Sequence, residues 1–126
     1  MTDVPAIRRI HHAQITIPTG KEDAACAFYC GVLGLKEVPK PPSLAGRGGF
    51  WLELGDVQVH IGTENESQRP SSKAHIAYEV IDLERWRVSL KNAGITAEDD
   101  IPIPNYRRFE FRDPFGNRVE FLERNV

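Results

Sequence analysis

A chain of 126 residues with 40% hydrophobic content is enough for one globular domain or two small packed halves. Its formal net charge of -2 gives no electrostatic reason to bind nucleic acid or an anionic membrane surface. No stretch approaches a transmembrane length, and the opening MTDVPAIRRIHH lacks the apolar core of a signal peptide, so cytoplasmic residence is the expectation.

Residues 10–17 alternate cleanly and predict a strand, with Ala13, Ile15 and Ile17 on one face and His12, Gln14 and Thr16 on the other. His11 shares the apolar face, which leaves His12 as the histidine of the polar face. Pro18-Thr19-Gly20 breaks the strand, and Thr19 with Glu22 reads as a capping box opening a helix. Ala25, Phe28, Tyr29 and Val32 give that helix an apolar stripe, and Gly34 stops it. Cys26 and Cys30 share a face of the helix. They read as a buried or half-buried pair of free thiols, since two cysteines make neither a disulfide framework nor a metal knuckle. A short strand at 35–38 and a Pro/Gly-rich loop at 39–49 follow. Residues 50–54 and 57–61 then predict a hairpin through Gly55-Asp56, with Val57, Val59 and Ile61 facing the core and Gln58 and His60 facing away.

Residues 62–74 are polar and aperiodic, and read as a linker. The pattern then starts again at His75. Asp82 caps a second helix with Leu83, Trp86, Leu90 and Ala93 as its stripe and Gly94 as its stop. A short strand from Ile95, an acidic turn at 98–100 and a Pro-rich loop lead to a closing hairpin, 108–112 with 118–122. The turn inside that hairpin, Asp113-Pro114-Phe115-Gly116-Asn117, is built from residues that preset or tolerate turn dihedrals. On the last strand Val119 and Phe121 point to the core, and Glu120 points the other way.

The predicted architecture is therefore α+β, βαβββ twice in a single domain, with modules at about 8–62 and 75–124 joined by the linker at 62–74. His12 and His75 each stand five residues before the last apolar residue of their strands, Ile17 and Val80. From His12 to His60 is 48 residues, and from His75 to Glu120 is 45. The repeat thus maps His12 onto His75 and His60 onto Glu120, and strand parity sets all four opposite the apolar residues of their own strands. Three imidazoles and a carboxylate suit Zn, Ni, Co, Mn or Fe, where calcium or magnesium would ask for mostly oxygen donors. Against this stands the plainer reading of four unconnected residues on a solvated sheet face.

Ile10 to His12, FYCGVLGL at 28–35, VQVHIG at 57–62, HIAYEV at 75–80 and DPFGNRVEF at 113–121 together resemble the vicinal oxygen chelate superfamily. That superfamily groups glyoxalase I, extradiol dioxygenases, and the fosfomycin- and bleomycin-resistance proteins. The resemblance implies two modules forming a curved mixed sheet that cups a divalent transition metal, with helices outside. It carries His12, His60, His75 and Glu120 over as metal ligands. Glyoxalase-like members commonly have glutamate at the His60 position, whereas dioxygenases and fosfomycin transferases use the set matching His12, His75 and Glu120. The implied function is a lyase, isomerase or ring-opening dioxygenase acting on a small oxygenated substrate chelated through neighbouring oxygens. In a glyoxalase-like reaction Glu120 would leave the metal and shuttle a proton; the alternative, which carries more weight, is that it stays a fixed ligand. Substrate contacts are expected from Arg108 and Tyr106 beside the last hairpin and from Trp51 on the opposite wall. A surface Arg108 paired to Glu110 is the equally weighted alternative. The second class of function is a metal-free protein of the bleomycin-resistance type that sequesters a ligand in the same cup. A homodimer is expected, with the cup completed within or between chains.

Overall fold

The alternation from His12 produces β1 (His12–Ile17) in a computed structural model that describes residues 4–125. The helix α1 (Glu22–Cys26) continues as a wider π-helical turn over Ala27–Val32, where Leu33 N–H donates to Phe28 O five residues back at 2.9 Å. The first module is completed by β2 (Lys36–Val38), β3 (Phe50–Leu54) and β4 (Val57–Thr63). The second repeats it with β5 (His75–Glu79), α2 (Leu83–Asn92), β6 (Glu98–Asp99), β7 (Tyr106–Arg112) and β8 (Arg118–Arg124). The two sheets have the same strand order, β1-β4-β3-β2 and β5-β8-β7-β6, with β1–β4 and β5–β8 parallel and the other pairs antiparallel.

The repeat holds at the level of single residues. Gln14, two beyond His12, pairs with His60, and Ala77, two beyond His75, pairs with Glu120. His12 and His75 therefore occupy one register position, and His60 and Glu120 another.

One hydrophobic cluster draws on both modules, with Ile17, Phe28, Tyr29, Leu52 and Ile61 from the first and Leu90, Phe109, Phe111 and Phe121 from the second. Its polar anchor is Asp113, which is 5% exposed. Asp113 Oδ1 accepts from the N–H groups of Phe115 (2.9 Å) and Asn117 (2.8 Å), closing the turn. Asp113 Oδ2 accepts from Tyr29 Oη (2.6 Å) and Asn117 Nδ2 (2.9 Å). Asn117 Nδ2 also donates to Thr16 O at 2.9 Å. The turn that launches β8 is thus fastened to both α1 and β1. Burial first, and then the Asp113 charge, push the Tyr29 phenol far above its usual range.

Several local expectations are corrected. Thr19 and Glu22 make no capping box, because Lys21 is the N-cap and no side chain bonds there. Both groups are engaged elsewhere: Asn65 Oδ1 accepts from Thr19 N–H at 2.9 Å, and Glu22 Oε2 accepts from Gly49 N–H at 3.0 Å. The acidic residues Glu98 and Asp99 form the edge strand β6 against Glu110 and Phe109, in place of a strand from Ile95. Ala93 is exposed, so the buried stripe of α2 consists of Leu83 and Leu90 with Trp86 half-buried. The start of the 62–74 stretch extends β4 to Thr63, and a 3₁₀ turn forms at Arg69–Ser71. Asp82 does cap α2, accepting from Arg85 N–H at 3.2 Å.

Candidate functional site

On the polar face of the first sheet, adjacent parallel strands bring His12 and His60 together. Their rings stack with centroids 4.0 Å apart, and Trp51, the cross-strand partner of His60, stacks on it at 4.0 Å. His60 is 5% exposed between these two rings. Burial pushes its pKa down to about 4, helped by the proximity of His12, His11 and Lys40. Neutral His60 donates from Nε2 to Gln58 Oε1 at 2.8 Å, which leaves Nδ1 with the lone pair. His12 Nδ1 lies 3.0 Å from His11 Nδ1. These residues open onto a pocket of about 520 Å³, a volume within the usual range for small-molecule sites. Its other walls include Lys40, Leu44, Arg47 and Gly48 from the 39–49 loop, which folds as a 3₁₀ turn over Pro42–Arg47.

The equivalent place in the second sheet holds His75 and Glu120. His75 Nδ1 donates to Lys73 O at 2.9 Å, which in the neutral ring leaves the lone pair on Nε2, 3.2 Å from Glu120 Oε1. Two electron-pair donors facing at that distance require a proton or a cation between them. Glu120, 5% exposed, is also reached by Arg108 Nη1 at 3.3 Å. Arg108 Nη1 contacts Asp100 at 3.4 Å as well. The expected partner of Arg108, Glu110, is instead bound by Arg118, which also reaches Asp100 at 3.3 Å. The Ile101 N–H, followed by Arg108 and Arg118, holds the Asp100 carboxyl below its ordinary range.

The two pairs do not converge within the chain: among the described residues no three of the four expected ligands lie close enough to share one ion. His75 lines a different pocket, between β1 and β5, with Gln14 common to both pockets. Tyr106 stands at the far end of the β7–β8 ladder, opposite Arg124, whose guanidinium bonds its hydroxyl at 3.0 Å and lies over its ring, 5.4 Å from the centroid.

The sequence profile of the Glyoxalase/Bleomycin resistance protein/Dioxygenase superfamily matches residues 9–121. The chain belongs to that superfamily. A Bacillus anthracis protein assigned provisionally to the glyoxalase family is 39% identical, with a TM-score of 0.88 over 97% of this chain and 99% of that one. Two more distant structures share the superfamily fold. Lactoylglutathione lyase from Agrobacterium tumefaciens has 22% identity and a TM-score of 0.70, covering 94% of this chain and 96% of that one. A fosfomycin resistance protein from Listeria monocytogenes has 15% identity and a TM-score of 0.74, covering 92% and 91%. Among curated protein sequences nothing matches the chain. Among the described residues of this superfamily member, no helix is long and apolar enough to cross a membrane.

Sequence reasoning missed the roles of Asp113 and Arg69. Arg69 is buried and donates from Nη1 to Thr16 Oγ1 (3.1 Å) and Glu64 O (3.0 Å), fastening the connection between modules to β1. Its only sequence signal is an arginine in an otherwise polar linker, which reads equally well as solvated.

Proposed function

We propose that the chain is a metal-dependent, glyoxalase-like enzyme, a lyase or isomerase or an extradiol dioxygenase, acting on a small substrate held through neighbouring oxygens. The observation that carries this reading is the facing pair in the second module, His75 Nε2 and Glu120 Oε1 at 3.2 Å, with His75 Nδ1 committed to Lys73 O. A backbone carbonyl on the far nitrogen is the usual device for aiming a metal-binding imidazole. Nitrogen and carboxylate donors together fit Zn, Ni, Co, Mn or Fe. His75 and Glu120 would hold the ion, with His12 and His60 completing the set. When bound, such an ion supplies positive charge against negative charge developing on substrate oxygens.

Each protein group then has a task. Trp51 and His12 clamp the His60 ring from both sides, which fixes where its free Nδ1 points. Glu120 is the carboxylate assigned to take and return a proton. Arg108 both orients Glu120 and offers a guanidinium to an anionic substrate group. Tyr106 has its hydroxyl engaged by Arg124, and a substrate contact there needs that bond exchanged. Since the two ligand pairs stand apart within one chain, the complete cup is assigned to a homodimer in which the first-module pair of one protomer meets the second-module pair of its partner.

A metal-free sequestering protein of the bleomycin-resistance type is the second reading. It is favoured by one observation, the enclosure of His60 between Trp51 and His12 with Nε2 already bonded to Gln58. Metal content after reconstitution separates the two. The wild type should retain a transition ion that His75→Ala loses, with His60→Ala weaker in effect because water can take its place. Equal metal in wild type and His75→Ala refutes the metalloenzyme.

A further inference from the structure

Away from the cup, the fold brings a third donor, from the edge strand β2, to the two cysteines that helical spacing already sets on one face. Cys26 ends the α-helical part of the first helix, and Cys30 lies one turn on, inside the π-helical part. Both are free and half-buried. Glu37, in the middle of β2, reaches back so that its Oε1 lies 3.8 Å from Cys26 Sγ. One donor atom from each of Cys26, Cys30 and Glu37 lies within 4.8 Å of the others, the one such group among the described residues. We propose that Cys26, Cys30 and Glu37 form a second cation site, for a soft divalent ion of the zinc or cadmium kind.

The geometry is close to what such an ion needs. A tetrahedral zinc with Zn–S of about 2.3 Å holds its ligand atoms roughly 3.5–3.8 Å apart. The Cys26–Glu37 separation already meets this, and small side-chain rotations bring in Cys30. Two sulfurs select zinc or cadmium over magnesium or calcium, and with the cysteines half-buried and Glu37 exposed a fourth position is left for water. The chemistry balances simply: two thiols lose their protons to solvent as two sulfur–metal bonds form, with no change of oxidation state. Burial, the contact with Cys26 and the Glu37 charge push the Cys30 thiol up to about 11, so metal-free Cys30 keeps a proton that binding must release. An ion here would pin the first helix to the edge strand of its own sheet. The chemistry needs none of the residues assigned to the cup.

The test is titration of the full chain with cadmium in a phosphine reductant, following the ultraviolet sulfur-to-cadmium charge-transfer band. Histidine and carboxylate ligands do not produce that band, so the readout is independent of the His75/Glu120 site. The expected result is a band that saturates at one ion per chain, with a rise in Tm. Cys26→Ser and Cys30→Ser should each abolish the one-ion band, and Glu37→Gln should weaken binding by about tenfold or more. Circular dichroism confirms that each variant is folded. No band in the wild type, a band from one ion shared by two chains, or unchanged affinity in Glu37→Gln overturns the proposal.

Discussion

Asp113→Ala tests whether the turn before β8 is the fastening between modules. The substitution removes the acceptor of four hydrogen bonds, from Tyr29 Oη, Phe115 N, Asn117 N and Asn117 Nδ2. Tyr29 is fully buried, at 0% exposure, so its hydroxyl cannot turn to bulk water. A buried donor left without a partner costs about 1–3 kcal/mol, and bonds to a charged acceptor lie toward the upper end. The two turn amides and the Asn117 amide are only half-buried, and water replaces part of what they lose. The expected loss is therefore about 3–5 kcal/mol in total, close to that for breaking a buried charged network. At roughly 3–6 °C per kcal/mol for a domain of this size, Tm should fall by about 9–30 °C. Urea unfolding followed by tryptophan fluorescence gives the free energy. Tyr29→Phe, Asp113→Asn and the double variant then form a cycle whose coupling should be about 0.5–3 kcal/mol. An Asp113→Ala loss below about 1 kcal/mol, or additive single effects, refutes the assigned role.

Gly116→Val should lower Tm as well: φ is 97° there, and an added Cβ would lie 2.8 Å from Pro70 Cγ and 3.0 Å from Pro70 N. An unchanged Tm would refute that constraint. The Gly49 N–H holds the Glu22 carboxyl below its ordinary range, so the folded state binds this proton less readily than the unfolded chain. The stability it contributes is full above the ordinary glutamate pKa and is lost as pH falls through the lowered one. Glu22→Gln should consequently be less stable than wild type at neutral pH, with the gap closing in acid. A gap independent of pH counts against it. If the cup is shared, mixing His12→Ala with Glu120→Ala chains should restore metal binding at one site per heterodimer, while each homodimer stays deficient. Failure to regain it places the site within one chain or nowhere.

The faces of the strands were legible in the sequence because side-chain alternation is a local property of two-residue period. Val119 and Phe121 are buried in the core, and His12, His60, His75 and Glu120 stand opposite the apolar residues of their strands. The internal repeat was legible for a related reason, since equal spacing between equivalent strands reappears as equal register, Gln14 with His60 and Ala77 with Glu120. Tertiary structure decided whatever depends on a distant partner. Thr19 and Glu22 have the spacing of a capping box, yet Asn65 and Gly49 compete for them and win. Arg108 stands in the right strand to pair with Glu110, but Arg118 lies directly across the ladder from Arg112 and takes that carboxylate, leaving Arg108 to Glu120 and Asp100. Asp113 reads as a turn residue until Tyr29, 84 positions away, is found bonded to it. Polar side chains choose partners by position in space, and no periodicity in the chain encodes that choice.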